Sequence, residues 1–172
     1  MHGLTRKKNH VKAAPWCPNM TIEKIKIRGI KINSDVAEVD CQDMDSSIPG
    51  ALLLLKRLSQ NQINALSVSS LSAGSRFHSY FYFSHKDMKQ VRELIGGPHE
   101  MTPPVKITQP VGMISLFPHD YSLKIFGTVL TALGQAAVAP LSISSSLSTL
   151  AIAVPLADLD RSLEAILSHF VV

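Results

Sequence analysis

The sequence predicts an α+β fold of two ferredoxin-like βαββαβ units, with antiparallel sheets that carry helices on one face. Three observations lead to this prediction. The chain repeats itself at an offset of 75 residues, each copy reads β-α-β-β-α, and a further strand pattern precedes the first copy. A length of 172 residues suits one domain or two small ones.

The internal repeat is clearest in two segments that align without a gap. Residues 58–70 read LSQNQINALSVSS, and residues 133–145 read LGQAAVAPLSISS. The same offset also pairs residues further upstream: Val36 with Val111, Asp45 with Asp120, and Ser47 with Ser122. Because the register holds over about 35 residues, a chance match is improbable.

The first strand and first helix of each copy follow from local patterns. Short β-branched runs predict strands at residues 36–41 and 111–116. Helix-length apolar patterns predict helices at residues 48–60 and 123–133. Ser47 is expected to cap the first of these helices. In the second helix, one apolar stripe is predicted from the spacing of four residues: Leu123, Phe126, Leu130 and Leu133.

A hairpin and a second helix complete each copy. In the first copy the predicted strands are residues 63–71 and 76–83, and the helix is 86–95. In the second copy the corresponding ranges are 137–144, 149–154 and 156–170. The last helix places four apolar residues on one stripe: Leu159, Leu163, Ile166 and Phe170.

The fourth strand of each unit determines the connectivity. Residues 104–108 supply it for the first copy, whereas the second copy ends too soon after its last helix. Residues 22–32 form an unassigned strand before the first copy. We expect this strand to complete the second sheet, so that the first unit is nested within the second. The predicted domains are a disordered tail at 1–20, a first unit at 34–109, and a second unit at 21–33 plus 110–172.

Charge and composition exclude several classes of protein. The net charge of +4 resides in residues 1–19, so the rest of the chain is neutral and gives little support for nucleic-acid binding. No apolar run reaches the roughly 18 residues of a membrane span. The two cysteines, Cys17 and Cys41, lack the spacing of a disulfide or zinc scaffold, which fits the cytoplasm.

No catalytic or metal-binding motif stands out. The seven histidines are scattered, and the sequence contains no P-loop, no GxGxxG and no GxSxG pattern. We therefore expect a protein that is not an enzyme and that needs no cofactor or metal.

Four sequence elements resemble those of paired ACT domains. Pro49 and Gly50 are similar to the family's Asp-x-Pro-Gly turn, and the run from Gln62 to Asn64 is similar to its Gly-Ile-Asn. Residues 141–146 are similar to its Ile-Ser-Thr-Ser stretch, and residues 158–170 to its closing helix. The layout is most similar to the regulatory C-terminal region, or the small subunit, of aspartokinases. The resemblance covers roughly residues 21–172.

This resemblance implies a tandem ACT-type sensor that binds a small amino acid. The low share of charged residues, 17%, and the two apolar faces of the aromatic strand at residues 76–83 predict a symmetric homodimer. A helix N-terminus suits the ligand's carboxylate, and a side-chain carboxylate or amide suits its ammonium group. The predicted ligand-binding residues lie in the loop before the first helix, in the first turn of that helix, and in the strand that follows it: Asp45, Ser46, Ser47, Ile48, Pro49, Gly50, Asn64 and Ser70. ACT pairs form such pockets where two units meet, so the ligand is expected to bridge two chains or two copies.

The second copy departs from this pattern. It has Lys124 and Ile125 in place of Pro-Gly, and Ala139 opposite Asn64. Its corresponding loop residues are therefore weaker candidates: His119, Asp120, Tyr121 and Ser122.

Three alternatives remain open. The protein is a regulatory subunit that docks on an aspartokinase-like enzyme of amino-acid biosynthesis, a dimerisation module without ligand, or an RNA-recognition module. The last shares βαββαβ order and places aromatic residues on its third strand, as residues 76–83 do here. However, the first strand offers no aromatic partner, so we expect the aromatic strand to serve packing.

Overall fold

The computed structural model describes residues 24–43, 49–73, 76–96, 105–117 and 122–172. The helices in these ranges are α1 Pro49–Gln60, α2 Met88–Ile95, α3 Leu123–Gln135 and α4 Leu159–His169. Short 3₁₀ turns, His85–Asp87 and Leu156–Asp158, precede α2 and α4. The strands are β1 Ile25–Lys26, β2 Gly29–Asp43, β3 Ser67–Ala73, β4 Arg76–Ser84, β5 Val105–Phe117, β6 Ser142–Ser145, β7 Leu150–Pro155 and β8 Phe170–Val171.

A six-stranded sheet with the order β3-β4-β2-β5-β7-β6 forms the centre of the fold. All neighbouring strands within it are antiparallel, whereas β1 and β8 form a separate parallel pair. The four helices and the mostly antiparallel sheet confirm the predicted mixture of α and β structure. Within the described ranges, no helix combines the length and the apolar character that crossing a membrane requires.

Two strands are longer than predicted because each joins two predicted strands. β2 continues through the segment expected to separate residues 22–32 from residues 36–41, and β5 joins residues 104–108 to 111–116. Register shifts beside Asn33 and Ala37 absorb the irregularity in β2. The chain therefore bends within a strand, where the sequence pattern suggested a break.

The pairing of β2 with β5 follows the 75-residue repeat. Val36 lies directly across from Val111, its own counterpart. Away from the register shifts, replacing each residue by its counterpart 75 positions away turns one observed pair into another. Ile30–Leu116 becomes Val105–Cys41, Lys31–Ser115 becomes Lys106–Asp40, and Ile32–Ile114 becomes Ile107–Val39. The two halves of the sheet are therefore related by a local twofold symmetry centred on the valine pair.

The most similar part of the repeat forms the C-terminal caps of α1 and α3. Gln62 and Ala137 adopt the left-handed conformation, with φ of 56° and 53°. In each cap, the N–H of the next residue donates a hydrogen bond to a carbonyl oxygen of the helix. Ile63 donates to Leu58 at 3.0 Å, and Val138 donates to Leu133 at 2.9 Å. These caps also explain why β3 and β6 begin at Ser67 and Ser142 rather than at residues 63 and 137 as predicted.

Two hydrophobic cores lie between the sheet and its helices. The first is built from buried residues of α1, α2 and the adjoining strands: Ala37, Val39, Cys41, Leu54, Leu58, Ile63, Phe81, Phe83, Met88 and Val91. The second joins α3 and α4 to the other half of the sheet: Ile27, Ile114, Leu116, Ile125, Val129, Leu133, Val138, Leu150, Ile152, Val154, Leu159, Ile166 and Phe170.

The predicted stripe of α4 packs on the core, although Phe170 does so from β8 rather than from the helix. The predicted stripe of α3 is only partly confirmed, since Phe126 and Leu133 pack on the core and the other two residues do not. Leu123 is 84% exposed and Leu130 is 43% exposed, whereas Ile125 and Val129 are buried. Because α3 is apolar on most of its circumference, its sequence permits more than one stripe. The tilt of the helix on the sheet determines which one is buried.

The face of the sheet opposite the helices has a small core of its own. It contains Val36, Tyr82, Val111, Met113 and Ala153, all buried. The Tyr82 hydroxyl lies 2.7 Å from the Ser142 hydroxyl, although β4 and β6 are four strand positions apart, about 19 Å in a flat sheet. The sheet is therefore strongly curled, and its two edges approach each other across this face.

Candidate functional site

The described residues place the predicted site residues at opposite ends of α1. Pro49 and Gly50 begin this helix, whereas Asn64 follows its C-terminal cap. A twelve-residue helix is about 18 Å long, so one chain does not bring Gly50 and Asn64 together. Ser70 lies in β3, where its hydroxyl is 2.9 Å from that of Ser79. The remaining predicted loop residues lie outside the described residues: Asp45, Ser46, Ser47 and Ile48.

Asn64 lines a cleft of about 490 Å³ between the α1–β3 connection and the start of α2. The cap at Gln62 turns the chain into this cleft, and the end of β4 brings in the 3₁₀ turn from the other side. The lining residues are Asn33, Gln62, Ile63, Asn64, Leu66, Ser84, Lys86, Asp87 and Gln90.

The chemistry of this cleft suits a small zwitterion. Lys86 supplies a positive charge and Asp87 a negative charge, side by side on one turn. Carboxamide groups, including that of Asn64, can donate or accept hydrogen bonds around them. The cleft therefore has side chains of both charges among its lining residues, and an α-amino acid carries one carboxylate and one ammonium group.

Of the residues that line this cleft, sequence reasoning proposed Asn64 but did not single out Lys86, Asp87 or the other polar groups. The available signal was a pair of opposite charges directly after the aromatic strand. That signal is weak by itself, because such pairs are common on solvated turns. Their proximity to Asn64 depends on the pairing of β3 with β4, which no local pattern encodes.

In the second copy, only Ser122 of the candidate loop residues is described; His119, Asp120 and Tyr121 lie outside the described residues. Ser122 is the N-cap of α3, and its hydroxyl accepts a hydrogen bond from the Ile125 N–H at 3.4 Å. This contact gives Ser122 a structural role at the helix start.

The aromatic strand β4 is used for packing on both of its faces. Phe81 and Phe83 are fully buried under the helices, with ring centroids 6.3 Å apart, and Tyr82 is buried on the opposite face. Bases stack on exposed rings in RNA-recognition modules, so these three side chains are not placed for that role. Among the side chains of the described ranges, no group of three or more His, Cys, Asp or Glu could hold a metal ion.

Tyr82 lies in a buried polar environment beside the strand that carries Glu38. Burial raises the pKa of the Tyr82 phenol above its ordinary value, and the negative charge of Glu38 adds to the rise. The hydrogen bond with Ser142 acts in the opposite direction. The pKa of Tyr80 is also raised, first by burial and then by the charges of Asp40 and Glu38.

These shifts predict a loss of stability in alkaline solution. Above the unfolded-state pKa of about 10, the unfolded chain releases the tyrosine protons while the folded chain retains them, so the free energy of unfolding falls as the pH rises. We expect Tyr82→Phe to reduce this slope in urea titrations between about pH 9 and 11. An unchanged slope in the variant would show that Tyr82 does not cause it.

Comparison with known proteins shows what this fold is similar to. No protein-family model matches the sequence, and no curated protein matches it either. The regulatory subunit of aspartate kinase from Thermus thermophilus, in a ligand-free form, is similar with a TM-score of 0.75 at 15% identity, over 84% of this chain and 99% of that one. The corresponding subunit from Thermus flavus gives a TM-score of 0.73 at 14% identity, over 83% and 97%.

A third solved structure shows the same similarity within a longer protein. The aspartate kinase from Synechocystis is similar with a TM-score of 0.69 at 16% identity, over 90% of this chain and 28% of that one. The resemblance to aspartokinase regulatory regions, predicted from the sequence, is therefore confirmed at the level of the fold.

Proposed function

We propose that this protein is a non-catalytic regulatory module of the tandem ACT type that binds a small amino acid. The observation that carries the proposal is the cleft at Asn64, where Lys86 and Asp87 offer opposite charges among carboxamide groups. A fold shared with aspartate kinase regulatory subunits supports a regulatory role over a catalytic one.

The complete site requires a second copy of the chain. Asn64 and the loop of residues 45–50 belong to opposite ends of α1, so a ligand that contacts both must bridge two molecules. Exposed leucines on α1, Leu52 and Leu55, provide apolar surface for such an association. A symmetric homodimer would place each loop against the partner's cleft and would couple ligand binding to assembly.

The division into two nested units is part of this proposal. Residues 34–109 form the first unit, and residues 21–33 with 110–172 form the second. The pairing of Gly29–Asn33 with Met113–Phe117, and the symmetric register around Val36 and Val111, support this division. Each unit then has the ferredoxin-like strand order, with its fourth strand supplied by one end of β2 or β5.

An enzyme partner is the second part of the regulatory role. Regulatory subunits of aspartate kinase act on an enzyme, and the similarity to part of the longer Synechocystis protein fits a module that works beside a catalytic domain. By this proposal the protein is cytoplasmic and docks on an enzyme of amino-acid biosynthesis.

A calorimetric screen against the twenty amino acids tests ligand binding. A ligand at 100 times its Kd should raise the free energy of unfolding by about 2.7 kcal/mol. For the amino acid that binds, we expect Asn64→Ala, Asp87→Ala and Asp45→Ala each to weaken binding about tenfold or more, because each removes a polar contact. Asp120→Ala, the counterpart of the Asp45 variant in the second copy, should have little effect.

Two outcomes would contradict the proposal. If Asp120→Ala abolished binding while Asn64→Ala and Asp45→Ala did not, the site would be in the second copy. If no amino acid bound, a dimerisation module without ligand would be the better interpretation. Light scattering of the same samples at tens of micromolar tests the homodimer, and a monomer at that concentration would exclude a sizeable apolar interface.

A further inference from the structure

A second, smaller cleft lies on the curled face of the sheet, opposite the helices. Its volume is about 170 Å³. Three adjacent strands, β2, β5 and β7, form its floor, and the start of β3 reaches it across the curled face. The lining residues are Lys31, Asn33, Leu66, Ser67, Met113, Ser115, Thr149 and Ala151.

The local twofold symmetry gives this cleft a counterpart in the other half of the sheet. In that half, Lys106 is the counterpart of Lys31. Lys106 lies directly across from Asp40, whereas Lys31 lies directly across from Ser115. The hairpins extend this correspondence. Ser69 and its counterpart Ser144 pair with Tyr80 and Ala151, respectively, so Ala151 occupies the position that Tyr80 has in the other half.

The counterpart is filled and carries acidic groups. Glu38, Asp40 and Tyr82 are buried there, and Tyr82 is hydrogen-bonded to Ser142, the counterpart of Ser67. In the cleft, Ala151 stands in place of Tyr80, and Ser115 stands in place of Asp40. Ala153, which stands in place of Tyr82, is buried and does not line the cleft. The two halves of the sheet therefore share the same strand pairing but differ beside the lysine. Lys106 has the carboxylate of Asp40 across from it, whereas Lys31 faces the cleft.

We propose that the cleft binds the carboxylate of a small organic acid that carries no amino group. The ligand's carboxylate takes a place near Lys31 comparable to that of the Asp40 side chain near Lys106. The hydroxyls of Ser67, Ser115 and Thr149 can donate hydrogen bonds to its oxygens.

Charge and size restrict the ligand class. Among the lining residues none is acidic, so an ammonium group would enter without a countercharge, and an amino acid is disfavoured. A cavity of about 150 Å³ holds benzene, so this cleft holds a molecule of about six non-hydrogen atoms. Leu66, Met113 and Ala151 give it an apolar wall for a short carbon chain. A three-carbon oxo or hydroxy acid meets these conditions.

This site is separate from the amino-acid cleft, although the two share Asn33 and Leu66 as a common wall. Lys31 and Ser115 line only the smaller cleft, whereas Asn64, Lys86 and Asp87 line only the larger one. Variants at Lys31 and Ser115 therefore test the smaller site without altering the larger one.

An NMR titration of the ¹⁵N-labelled full chain tests the inference. The probes are pyruvate and L-alanine, which differ in the group on the second carbon. We expect pyruvate to shift the amide signals of Lys31, Ser115 and Ala151, and L-alanine at equal concentration to leave them in place. Lys31→Met should weaken pyruvate binding about tenfold or more, because the charge-assisted contact is lost.

Two further variants complete the test: one is a control for the loss of a lysine charge, and the other imitates the Asp40–Lys106 pair. Lys106→Met removes the same charge from the filled half and should leave the pyruvate affinity unchanged. Ser115→Asp places a carboxylate across from Lys31, as in the filled half, and should abolish binding while the fold is retained. Chemical shifts elsewhere in the spectrum report whether each variant is folded.

Several results would overturn the inference. They are an absence of shifts with pyruvate at tens of millimolar, equal binding of L-alanine at the same amides, or unchanged affinity in folded Lys31→Met. Stronger binding of inorganic phosphate than of pyruvate would show that the cleft selects anions of another class. Signals of Asn64 and Lys86 report the larger cleft independently, so failure here does not decide the amino-acid proposal.

Discussion

Deletion of residues 1–33 is expected to destroy the second half of the sheet and to cause aggregation. The deleted segment contains Gly29–Asn33, which pairs with Met113–Phe117 of β5, and Ile27, which is buried in the core beneath α3 and α4. Loss of one buried isoleucine side chain costs about 2–5 kcal/mol. The deletion also removes β1 and the first five residues of β2. The total loss approaches the roughly 5–15 kcal/mol by which a typical domain is stable.

The deletion also leaves Met113–Phe117 of β5 without a partner on the side of β2. Unpaired N–H and C=O groups on a long strand favour pairing between molecules. Urea denaturation followed by circular dichroism, together with light scattering, measures both effects. Deletion of residues 1–19 is the control, and we expect it to leave the free energy of unfolding nearly unchanged. Equal stability of the two truncated proteins would refute the nested connectivity.

Phe81→Ala is expected to lower the free energy of unfolding by about 3–5 kcal/mol. Phe81 is fully buried in the core under α1 and α2 and stacks on Phe83 with an angle of 11° between the rings. Truncation removes apolar surface from this core and leaves a cavity that rigid β-strands fill poorly. The result would show that the aromatic strand stabilises the fold.

Val68→Ala provides the matched control for this substitution. Val68 lies directly across from Phe81 on β3, but 46% of it is exposed. We expect a loss below about 1 kcal/mol, because little apolar surface is withdrawn from water at this position. Urea denaturation of both variants measures the difference. A loss in Phe81→Ala as small as that in Val68→Ala would contradict the packing role.

The repeat and its element order could be read from the sequence because the responsible interactions are local. The matching segments at 58–70 and 133–145 form helix caps. In each cap, the carbonyl oxygen of Leu58 or Leu133 accepts a hydrogen bond from the N–H of the residue five positions later. The stripe of α4 is likewise visible because polar residues separate its apolar positions. Patterns of this kind depend on neighbours within about two helical turns.

Where the local sequence pattern was compatible with two structures, tertiary packing determined which of them forms. The apolar surface of α3 contains two possible stripes, and contact with the sheet buries Ile125 and Val129 rather than Leu123 and Leu130. The merging of predicted strands into β2 and β5 has the same origin. Long-range pairing with each other carries both strands through irregular residues that, in isolation, predict a break.

For the candidate sites too, part of the description comes from the sequence and part only from the tertiary structure. The sequence by itself determined that Asn64 lies in a repeated segment that follows the first helix, and that the charges of residues 20–172 sum to zero. Only the tertiary structure placed Lys86 and Asp87 beside Asn64, and Lys31 across from Ser115 in a cleft whose counterpart is filled. These neighbours come from distant parts of the chain, and the pairing and curl of the sheet bring them together.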